Sequence, residues 1–329
     1  MMKLGILFGG QSYEHEISII TAYQLKKRIE QEYEVHLIYV SLDGKYFNAD
    51  RMKLSNFKLS QNKNLKKLKL DKLKLDCIVG AMHGENGEDG LAAAFAKIHR
   101  IRYMGCDLLA GAVSLDKYRS YLYLSKNGVR MVKTIHYTYE DFLSNKKIPY
   151  LPCIMKPVCG GSSIGIFIAS TPEELSAKLA ETFSYSKEII LQPYLETLEE
   201  YNLALNETTF SHLERIHKKD DIFSFENKYS DSFKVTHQSI IEHPRYDEFC
   251  KIARKVYELL HASGIIRIDF FLSEDKIYVN EVNTTPGALS MYLFSDFNEV
   301  FKESLRLCLT KEIKNYPNTH FLLKNNINK

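Results

Sequence analysis

The chain has 329 residues, 45% of them hydrophobic and 26% charged, which is typical of a globular protein with a sizeable core. This length fits about two or three domains. The net charge of +3 is too small to indicate a nucleic-acid binder. The sequence also lacks a motif that combines a basic cluster with residues that read a nucleic-acid groove.

The cysteines and the first residues predict the compartment. Six cysteines form neither a CxxC pair nor a zinc-like spacing with histidine, which indicates reduced thiols. The first apolar segment, MMKLGILFGG, is shorter than a signal peptide or a membrane span. We therefore predict a cytoplasmic protein with no membrane partner.

The first third of the chain predicts a parallel sheet. Residues 3–8 and 34–42 have the apolar pattern of buried strands, with a helix between them at about 16–31, and 76–84 forms a third strand that ends near His83. The loops FGGQSYEHE and MHGENGEDG follow the carboxyl ends of these strands, where such sheets bind ligands. A Rossmann dehydrogenase is excluded because the first loop lacks the third glycine of GxGxxG.

Two polar stretches are expected at the surface. The lysine-rich run KNLKKLKLDKLKLD, residues 63–76, alternates Leu with charged residues as an exposed edge strand or a surface connection does. Residues 215–235 lack a clear periodicity, which predicts a mobile loop.

The middle third contains a Gly/Ser-rich stretch, CIMKPVCGGSSIG, at residues 153–165. Backbone N–H groups in such a loop, with a nearby lysine, favour phosphate binding. Lys156 precedes the glycines, so the spacing does not fit a Walker A motif, and a plain strand, turn and strand is the alternative. A helix predicted to start at Thr171 and Pro172 completes a small α+β unit.

The last two predicted strands, IIRIDFFLS and KIYVNEVN, place polar residues at alternate positions. Arg267 and Asp269 share one face, as do Glu281 and Asn283, and a hairpin turn would bring the two pairs together. Carboxylate and amide oxygens suit Mg²⁺ together with nucleotide phosphates. An exposed sheet face is the alternative, which the apolar neighbouring residues disfavour.

Four motifs taken in order resemble the D-alanine–D-alanine ligases, ATP-grasp enzymes of bacterial cell-wall synthesis. They are FGGQSYEHEIS, HGENGEDG, MKPVCGGSSIG, and RIDFFL followed by IYVNEVNTTPG. The resemblance implies an α/β and α+β protein, an ATP-grasp fold preceded by a doubly wound parallel-sheet domain. The expected domains are 1–105 for substrate, 106–199 with the Gly/Ser loop over the ATP phosphates, and 200–329 with the metal and catalytic residues.

The reaction that the resemblance implies has two steps. ATP phosphorylates the carboxylate of one D-alanine, and the amine of a second D-alanine then displaces phosphate from this acylphosphate, giving D-alanyl-D-alanine for peptidoglycan. The implied cofactors are ATP and two Mg²⁺ or Mn²⁺ ions. D-alanine is the expected small-molecule partner, nucleic acid is not expected, and a homodimer is a family expectation.

The resemblance also implies which side chains bind the nucleotide and its metal ions. Nucleotide contacts fall on Lys117, Lys156, Ser163, Gln192, Glu200 and Lys228, and metal ligation on Asp269, Glu281 and Asn283. Glu200 corresponds to the acid that binds the ribose. Because Gln192 and Pro193 stand where many relatives have Glu and Lys, we expect backbone groups here to contact the adenine.

A second group of residues is implied at the reacting substrates. Glu14 would bind the ammonium of the first D-alanine, linked through Ser162 to Tyr229, and His83 would help to place that substrate. Arg267 and the N–H of Gly287 would stabilise the oxyanion.

The segment TPGALSMYL is shorter than the family's loop for the second substrate. A gapped alignment assigns its carboxylate to Ser290, which we favour, and an ungapped one assigns it to Tyr292.

Three rival functions remain at this stage. A D-alanine–D-lactate depsipeptide ligase is disfavoured because relatives that use D-lactate tend to have His where this chain has Tyr229. Another ATP-grasp carboxylate–amine ligase is a second possibility. A nucleotide-binding module without chemistry is disfavoured by the intact metal ligands and active-site lysines.

Overall fold

This computed structural model describes residues 1–51, 65–195, 198–216 and 238–313. Within these ranges no helix combines the length and the apolar character that crossing a membrane requires. The strands form three sheets, each built mostly from one continuous part of the chain.

The first sheet has six strands in the order β4-β3-β2-β1-β5-β6, with parallel pairing among β2, β1, β5 and β6. After Lys3 the strand β1 is apolar and buried, as expected of a parallel strand whose two faces are covered. Only part of the lysine-rich run forms the predicted edge strand: β4 lies at the sheet edge with both lysines exposed, whereas Leu70–Leu73 form a short helix. The elements are β1 (Lys3–Gly9), α1 (His15–Ile29), β2 (Glu34–Val40), β3 (Tyr46–Asn48), β4 (Lys66–Lys67), α2 (Leu70–Leu73), β5 (Cys77–Gly80), α3 (Leu91–Ile98) and β6 (Arg102–Met104).

The second sheet has four antiparallel strands in the order β7-β10-β8-β9. Its strands β8 and β9 flank the Gly/Ser-rich stretch, which places this loop on the predicted hairpin. The helix α7 begins as predicted, with Thr171 accepting from the N–H of Glu174 and Pro172 in the first position. The elements are α4 (Leu108–Leu115), α5 (Lys117–Lys126), β7 (Ile135–Thr138), α6 (Tyr139–Leu143), β8 (Cys153–Pro157), β9 (Phe167–Ala169), α7 (Pro172–Phe183) and β10 (Glu188–Pro193).

The third sheet has five antiparallel strands in the order β13-β12-β11-β14-β15. The strands β14 and β15 form the predicted hairpin, and α8 packs its apolar face against the sheet. The elements are β11 (Glu199–Leu205), β12 (Phe210–Ile216), β13 (Gln238–Ile241), α8 (Tyr246–Leu259), β14 (Ile266–Ser273), β15 (Lys276–Asn283), a turn segment (Gly287–Leu293) and α9 (Phe297–Thr310).

Packing between distant parts of the chain joins the sheets. Phe297, Phe301 and Leu305 of α9 belong to the core of the first sheet. Ala110 of α4 and Leu124 of α5 belong to the core of the third sheet. Each sheet therefore falls largely within one of the predicted ranges 1–105, 106–199 and 200–329, but helices from one range cover the sheet of another. The domain boundaries stay a prediction.

Candidate active site

A cavity of about 1090 Å³ is lined by strand residues of the second and third sheets and by helix and loop residues next to the first sheet. One wall comes from the start of α1 and the loop after β5. The opposite wall comes from the hairpin β14–β15, and the Gly/Ser loop and the end of β10 line the rest. The motifs that stand apart in the sequence therefore meet around one space.

The hairpin β14–β15 brings four polar side chains to the cavity. Arg267 pairs in register with Asn283, and Asp269 with Glu281. Arg267 Nε and Nη2 donate to the two oxygens of Asp269 at 2.6 and 2.9 Å. Burial lowers the pKa of Arg267, but the Asp269 carboxylate outweighs this effect and raises the pKa above its ordinary value. The guanidinium is thus a permanent positive charge on this wall.

The donor atoms of this wall fit a divalent cation bound together with a nucleotide. Two carboxylates and one amide supply hard oxygens, and Asn283 Nδ2 already lies 3.1 Å from Asp269 Oδ2. In the described ranges no three His, Cys, Asp or Glu side chains form a self-sufficient metal cluster. A cation on Asp269, Glu281 and Asn283 would therefore complete its coordination with phosphate oxygens and water, as Mg²⁺ usually does.

Two lysines approach the Gly/Ser loop. Lys156 is buried on β8, and its Nζ lies 3.3 Å from Asn280 Oδ1 on β15. Lys117, the first residue of α5, donates from Nζ to the carbonyl of Gly160 at 2.5 Å. Both side chains line the cavity, so positive charge faces the space beneath the loop.

The loop itself has an unusual backbone. Ser162 and Ser163 have φ values of 55° and 60°, in the left-handed region that non-glycine residues seldom adopt. Such strain is typical of functional sites, where the surrounding structure holds it in place. A side chain at Gly160 would meet no atom within 4 Å, which leaves open space on the cavity wall.

Glu14, immediately before α1, reaches the same loop from the first sheet. Ser162 Oγ donates a hydrogen bond to Glu14 Oε1. Cβ atoms placed on Gly84 or Gly161 would each lie 3.1 Å from Glu14 Oε2, so both glycines permit a close approach of backbone and carboxylate. The structure thus brings Glu14 and Ser162 together, as the sequence predicted.

His83 is buried in a hydrogen-bond chain that fixes its tautomer. Nδ1 lies 2.6 Å from the carbonyl oxygen of Thr285, which can only accept, so Nδ1 carries a proton. In the neutral ring Nε2 accepts from the hydroxyl of Thr21 at 2.7 Å, and the oxygen of this hydroxyl accepts from the N–H of Ala288 at 3.1 Å. Burial lowers the pKa of His83. A neutral imidazole therefore links the first sheet to the segment after β15.

Glu88 is a cavity residue that the sequence reasoning missed. Its two oxygens accept from the N–H groups of Gly84 at 2.9 Å and Thr285 at 2.8 Å. Burial and the nearby Glu14 carboxylate raise the pKa of Glu88 to about 8. The available signal was an acid four residues after a glycine in HGENGEDG, placed to return to the backbone of its own loop.

The Gly287–Leu293 segment separates the two candidates for the second substrate. Ala288, Leu289 and Ser290 have φ values of 50°, 48° and 52°, a left-handed turn without glycine. This turn buries Ser290 completely, outside the cavity wall, and its hydroxyl has no hydrogen-bond partner among the described residues. Tyr292 lies on the cavity wall. This placement makes Tyr292, and not the favoured Ser290, the residue of the segment that can contact a substrate in the cavity.

The end of β10 supplies backbone to the cavity. Gln192 Nε2 donates to Thr134 Oγ1 at 2.9 Å, so its amide is engaged by a neighbouring segment. Pro193, Tyr194 and Glu200 line the cavity beyond it. Gly287 lies on the wall with open space where a Cβ would stand. The predicted Lys228 and Tyr229, with most of the predicted loop, lie outside the described residues.

Comparison with known proteins identifies the family. Models of the D-ala D-ala ligase N-terminus and C-terminus match residues 3–106 and 124–304. The chain belongs to the D-alanine–D-alanine ligase family. Within this family, the D-alanine–D-alanine ligase of Campylobacter jejuni subsp. jejuni is 34% identical, with 97% of each chain covered. The ligase of Helicobacter pylori is 33% identical, with 100% of each chain covered.

Solved structures agree with this assignment. The D-alanine–D-alanine ligase from Helicobacter pylori has a TM-score of 0.75 at 26% identity, covering 93% of this chain and 99% of that one. A D-Ala:D-Ser ligase from Enterococcus faecalis has a TM-score of 0.78 at 23% identity, covering 93% and 99%, a likeness of fold alone. The predicted family, ATP-grasp fold and ligase class are confirmed, and the family uses ATP and a divalent metal ion.

Proposed function

We propose that this D-alanine–D-alanine ligase family member joins two D-alanines through an acylphosphate, at the cost of ATP, for peptidoglycan precursor synthesis. One observation carries the proposal: a single cavity joins Glu14 and Ser162 on one wall to Arg267, Asp269 and Glu281 on the other. The first pair suits an amino acid's ammonium, and the second set suits phosphates with their metal ions. An amino acid and a nucleotide can therefore meet there.

The first step moves the γ-phosphoryl group of ATP to the carboxylate of the first D-alanine. This chemistry needs positioning and charge neutralisation more than covalent help from the protein. Lys156 and Lys117 supply positive charge below the Gly/Ser loop, and Ser163 lies in that loop. Glu200 binds the ribose, backbone groups near Gln192 contact the adenine, and Lys228 adds charge to the phosphates.

Asp269, Glu281 and Asn283 would hold two divalent ions, Mg²⁺ or Mn²⁺, together with the ATP phosphates. Such ions would supply positive charge that offsets the charge of the transferring phosphoryl group. The protein's own part is to keep Asp269 and Glu281 opposite each other across the hairpin. Arg267 fixes the Asp269 carboxylate from the side.

Glu14 places the first D-alanine by accepting from its ammonium group. Ser162 holds this carboxylate towards the loop. The resemblance assigns the continuation of this link to Tyr229, which lies outside the described residues. Neutral His83 orients Thr285 and Thr21 around the substrate without adding a charge that would repel the ammonium. This wall sets the position of the carboxylate that becomes phosphorylated.

In the second step, the amine of the second D-alanine attacks the acylphosphate carbon. The oxygen of the tetrahedral intermediate takes negative charge, which Arg267 and the N–H of Gly287 stabilise. Collapse of the intermediate expels phosphate together with one oxygen of the original carboxylate. Tyr292 lines the same cavity as Arg267 and Ser290 does not, so Tyr292 is the candidate of this segment that can contact the second D-alanine.

The localisation follows from the pathway, and the homodimer rests on the family resemblance. A ligase that uses ATP and supplies a peptidoglycan precursor acts in the cytoplasm, and we propose that it works as a homodimer without nucleic acid.

Product analysis tests the function. With ATP and Mg²⁺, we expect D-alanine to give ADP, phosphate and D-alanyl-D-alanine, identified by mass spectrometry. L-alanine should give no dipeptide, and D-alanine with D-lactate should give little depsipeptide. A depsipeptide as the main product would favour the D-lactate rival, and nucleotide binding without turnover would favour a module without chemistry.

A further inference from the structure

The polar row on the third sheet extends beyond the predicted metal ligands. Asp269 on β14 pairs with Glu281 on one side and with Asn202 of β11 on the other. Asn202 in turn pairs with Glu214 of β12. Directly opposite residues on neighbouring strands point to the same face with Cβ atoms about 5 Å apart. Glu214 is therefore the fourth member of one row that crosses the floor of the cavity.

Glu214 is completely buried, and no role has yet been assigned to it. Its Oε2 accepts from Asn202 Nδ2 at 2.9 Å and from the hydroxyl of Tyr292 at 3.1 Å. Its Oε1 has no hydrogen-bond partner within the part of the chain that the structure describes. Burying a carboxyl group in this way is unfavourable, and a valine or leucine would fill the position at lower cost. Burial accordingly raises the pKa of Glu214.

The contact with Tyr292 offers a reason for an acid at this buried position. A tyrosine hydroxyl has one proton, and Tyr292 donates it to Glu214. The lone pairs of the same oxygen remain free to accept on the cavity side of the ring. Arg267, which lines the same cavity, is the residue proposed above to stabilise the tetrahedral intermediate. An acceptor here suits the N–H groups of an attacking amine and cannot donate to a carboxylate.

Resting on the proposed function, we propose that Glu214 is a positioning residue that directs the Tyr292 hydroxyl so that its oxygen accepts from the amino group of the second D-alanine. Glu214 touches no substrate itself. It acts through Tyr292, and Asn202 holds it from the opposite side of the same oxygen. The two alignments of this segment then have a common answer: the carboxylate of the second D-alanine is bound elsewhere, and Tyr292 binds its amine.

A mutant cycle tests the inference. Tyr292→Phe and Glu214→Leu should each raise the KM for the second D-alanine about tenfold, because one hydrogen bond to a charged or reacting group is lost. The KM for the first D-alanine should change little. Glu214→Gln should restore the second KM to within about threefold, since its amide oxygen can still accept from Tyr292. The double variant Glu214→Leu/Tyr292→Phe should be no worse than either single variant.

Glu207 offers a matched control. It is another carboxyl with one buried oxygen that has no partner among the described residues, and it lies at the turn between β11 and β12, off the cavity wall. Glu207→Gln should leave both KM values unchanged. Thermal melting should show that each variant is folded; if Glu214→Leu is not, the comparison of Tyr292→Phe with Glu214→Gln still decides.

Three outcomes would overturn the inference: an unchanged second KM in Tyr292→Phe, equal losses in Glu214→Gln and Glu214→Leu, or additive losses in the double variant. Failure of the proposed function itself would look different, because the wild-type protein would then form no D-alanyl-D-alanine.

Discussion

On the wall beside the first sheet, burial lowers the pKa of His83, whose two ring nitrogens are hydrogen-bonded, and Glu88 accepts from two backbone N–H groups while burial raises its pKa to about 8. On the opposite wall, Arg267 stays charged against Asp269, and Glu281 stands beside them. In the proposed function the first wall positions the first D-alanine, with Glu14 as its carboxylate. The second wall combines a guanidinium with two carboxylates, a set that suits phosphates bound together with metal ions.

The largest expected loss lies on the charged wall. Glu281→Ala removes a carboxylate that water cannot replace at the same charge, so turnover should fall by about 100-fold or more. The measurement is ADP release across a magnesium titration. Glu274→Ala, at the exposed tip of the same hairpin, is the control and should behave as wild type. Titration curves that overlay for Glu281→Ala and wild type would refute the metal assignment.

Lys156→Met tests the charge that β8 contributes to the same region. Loss of one charge-assisted contact to phosphate should weaken ATP binding by roughly 10- to 100-fold, measured as Kd by calorimetry. The fold should survive because methionine fills similar volume. Lys187→Met, on the exposed surface just before β10, should leave the Kd unchanged. Equal affinities for Lys156→Met and wild type would remove this lysine from the phosphate site.

Glu88→Gln should change how the stability of the protein depends on pH. Because the pKa of Glu88 is about 8 in the folded protein and about 4.5 in the unfolded chain, the folded state binds more protons between these values. Its contribution to stability therefore falls as pH rises from about 4.5 to 8. Glutamine does not titrate, so the Tm of the variant relative to wild type should increase between pH 5 and pH 8.

The exposed neighbour offers a control for this pH effect. Glu85→Gln should give a Tm difference that stays flat with pH. A flat difference for Glu88→Gln as well would mean that Glu88 is ionised in the folded protein at neutral pH.

The smallest effect is expected at Ser290. Its side chain is fully buried outside the cavity wall, so Ser290→Ala should leave both KM values for D-alanine within about twofold of wild type. A rise in the second KM of tenfold or more would restore the gapped alignment and place Ser290 at the substrate.

The sequence predicted what local periodicity controls. Alternation along two strands placed Arg267, Asp269, Glu281 and Asn283 on one face, and the hairpin brings them together. The parallel first sheet followed in the same way from its apolar runs. The phosphate-binding role of the Gly/Ser loop could be predicted only together with the other motifs, because its own spacing fitted a plain turn equally well.

The rest depended on contacts between distant segments. Three consecutive left-handed residues at 288–290 turn Ser290 away from the cavity, and no glycine in that stretch signals such a backbone. Glu214 meets Tyr292 across 78 positions in the chain, and Glu88 meets Thr285 across 197. No local pattern reports these two distant pairs, although the spacing of Gly84 and Glu88 does signal the shorter contact between them.

Isotope transfer tests the central claim that the two walls bring a carboxylate and a phosphoryl group together. D-alanine labelled with ¹⁸O in its carboxylate is incubated with the protein, ATP and Mg²⁺, and the released phosphate is examined by mass spectrometry. Activation through an acylphosphate predicts one ¹⁸O in each phosphate, formed in step with D-alanyl-D-alanine. Unlabelled phosphate, or labelled phosphate without the dipeptide, would contradict the account.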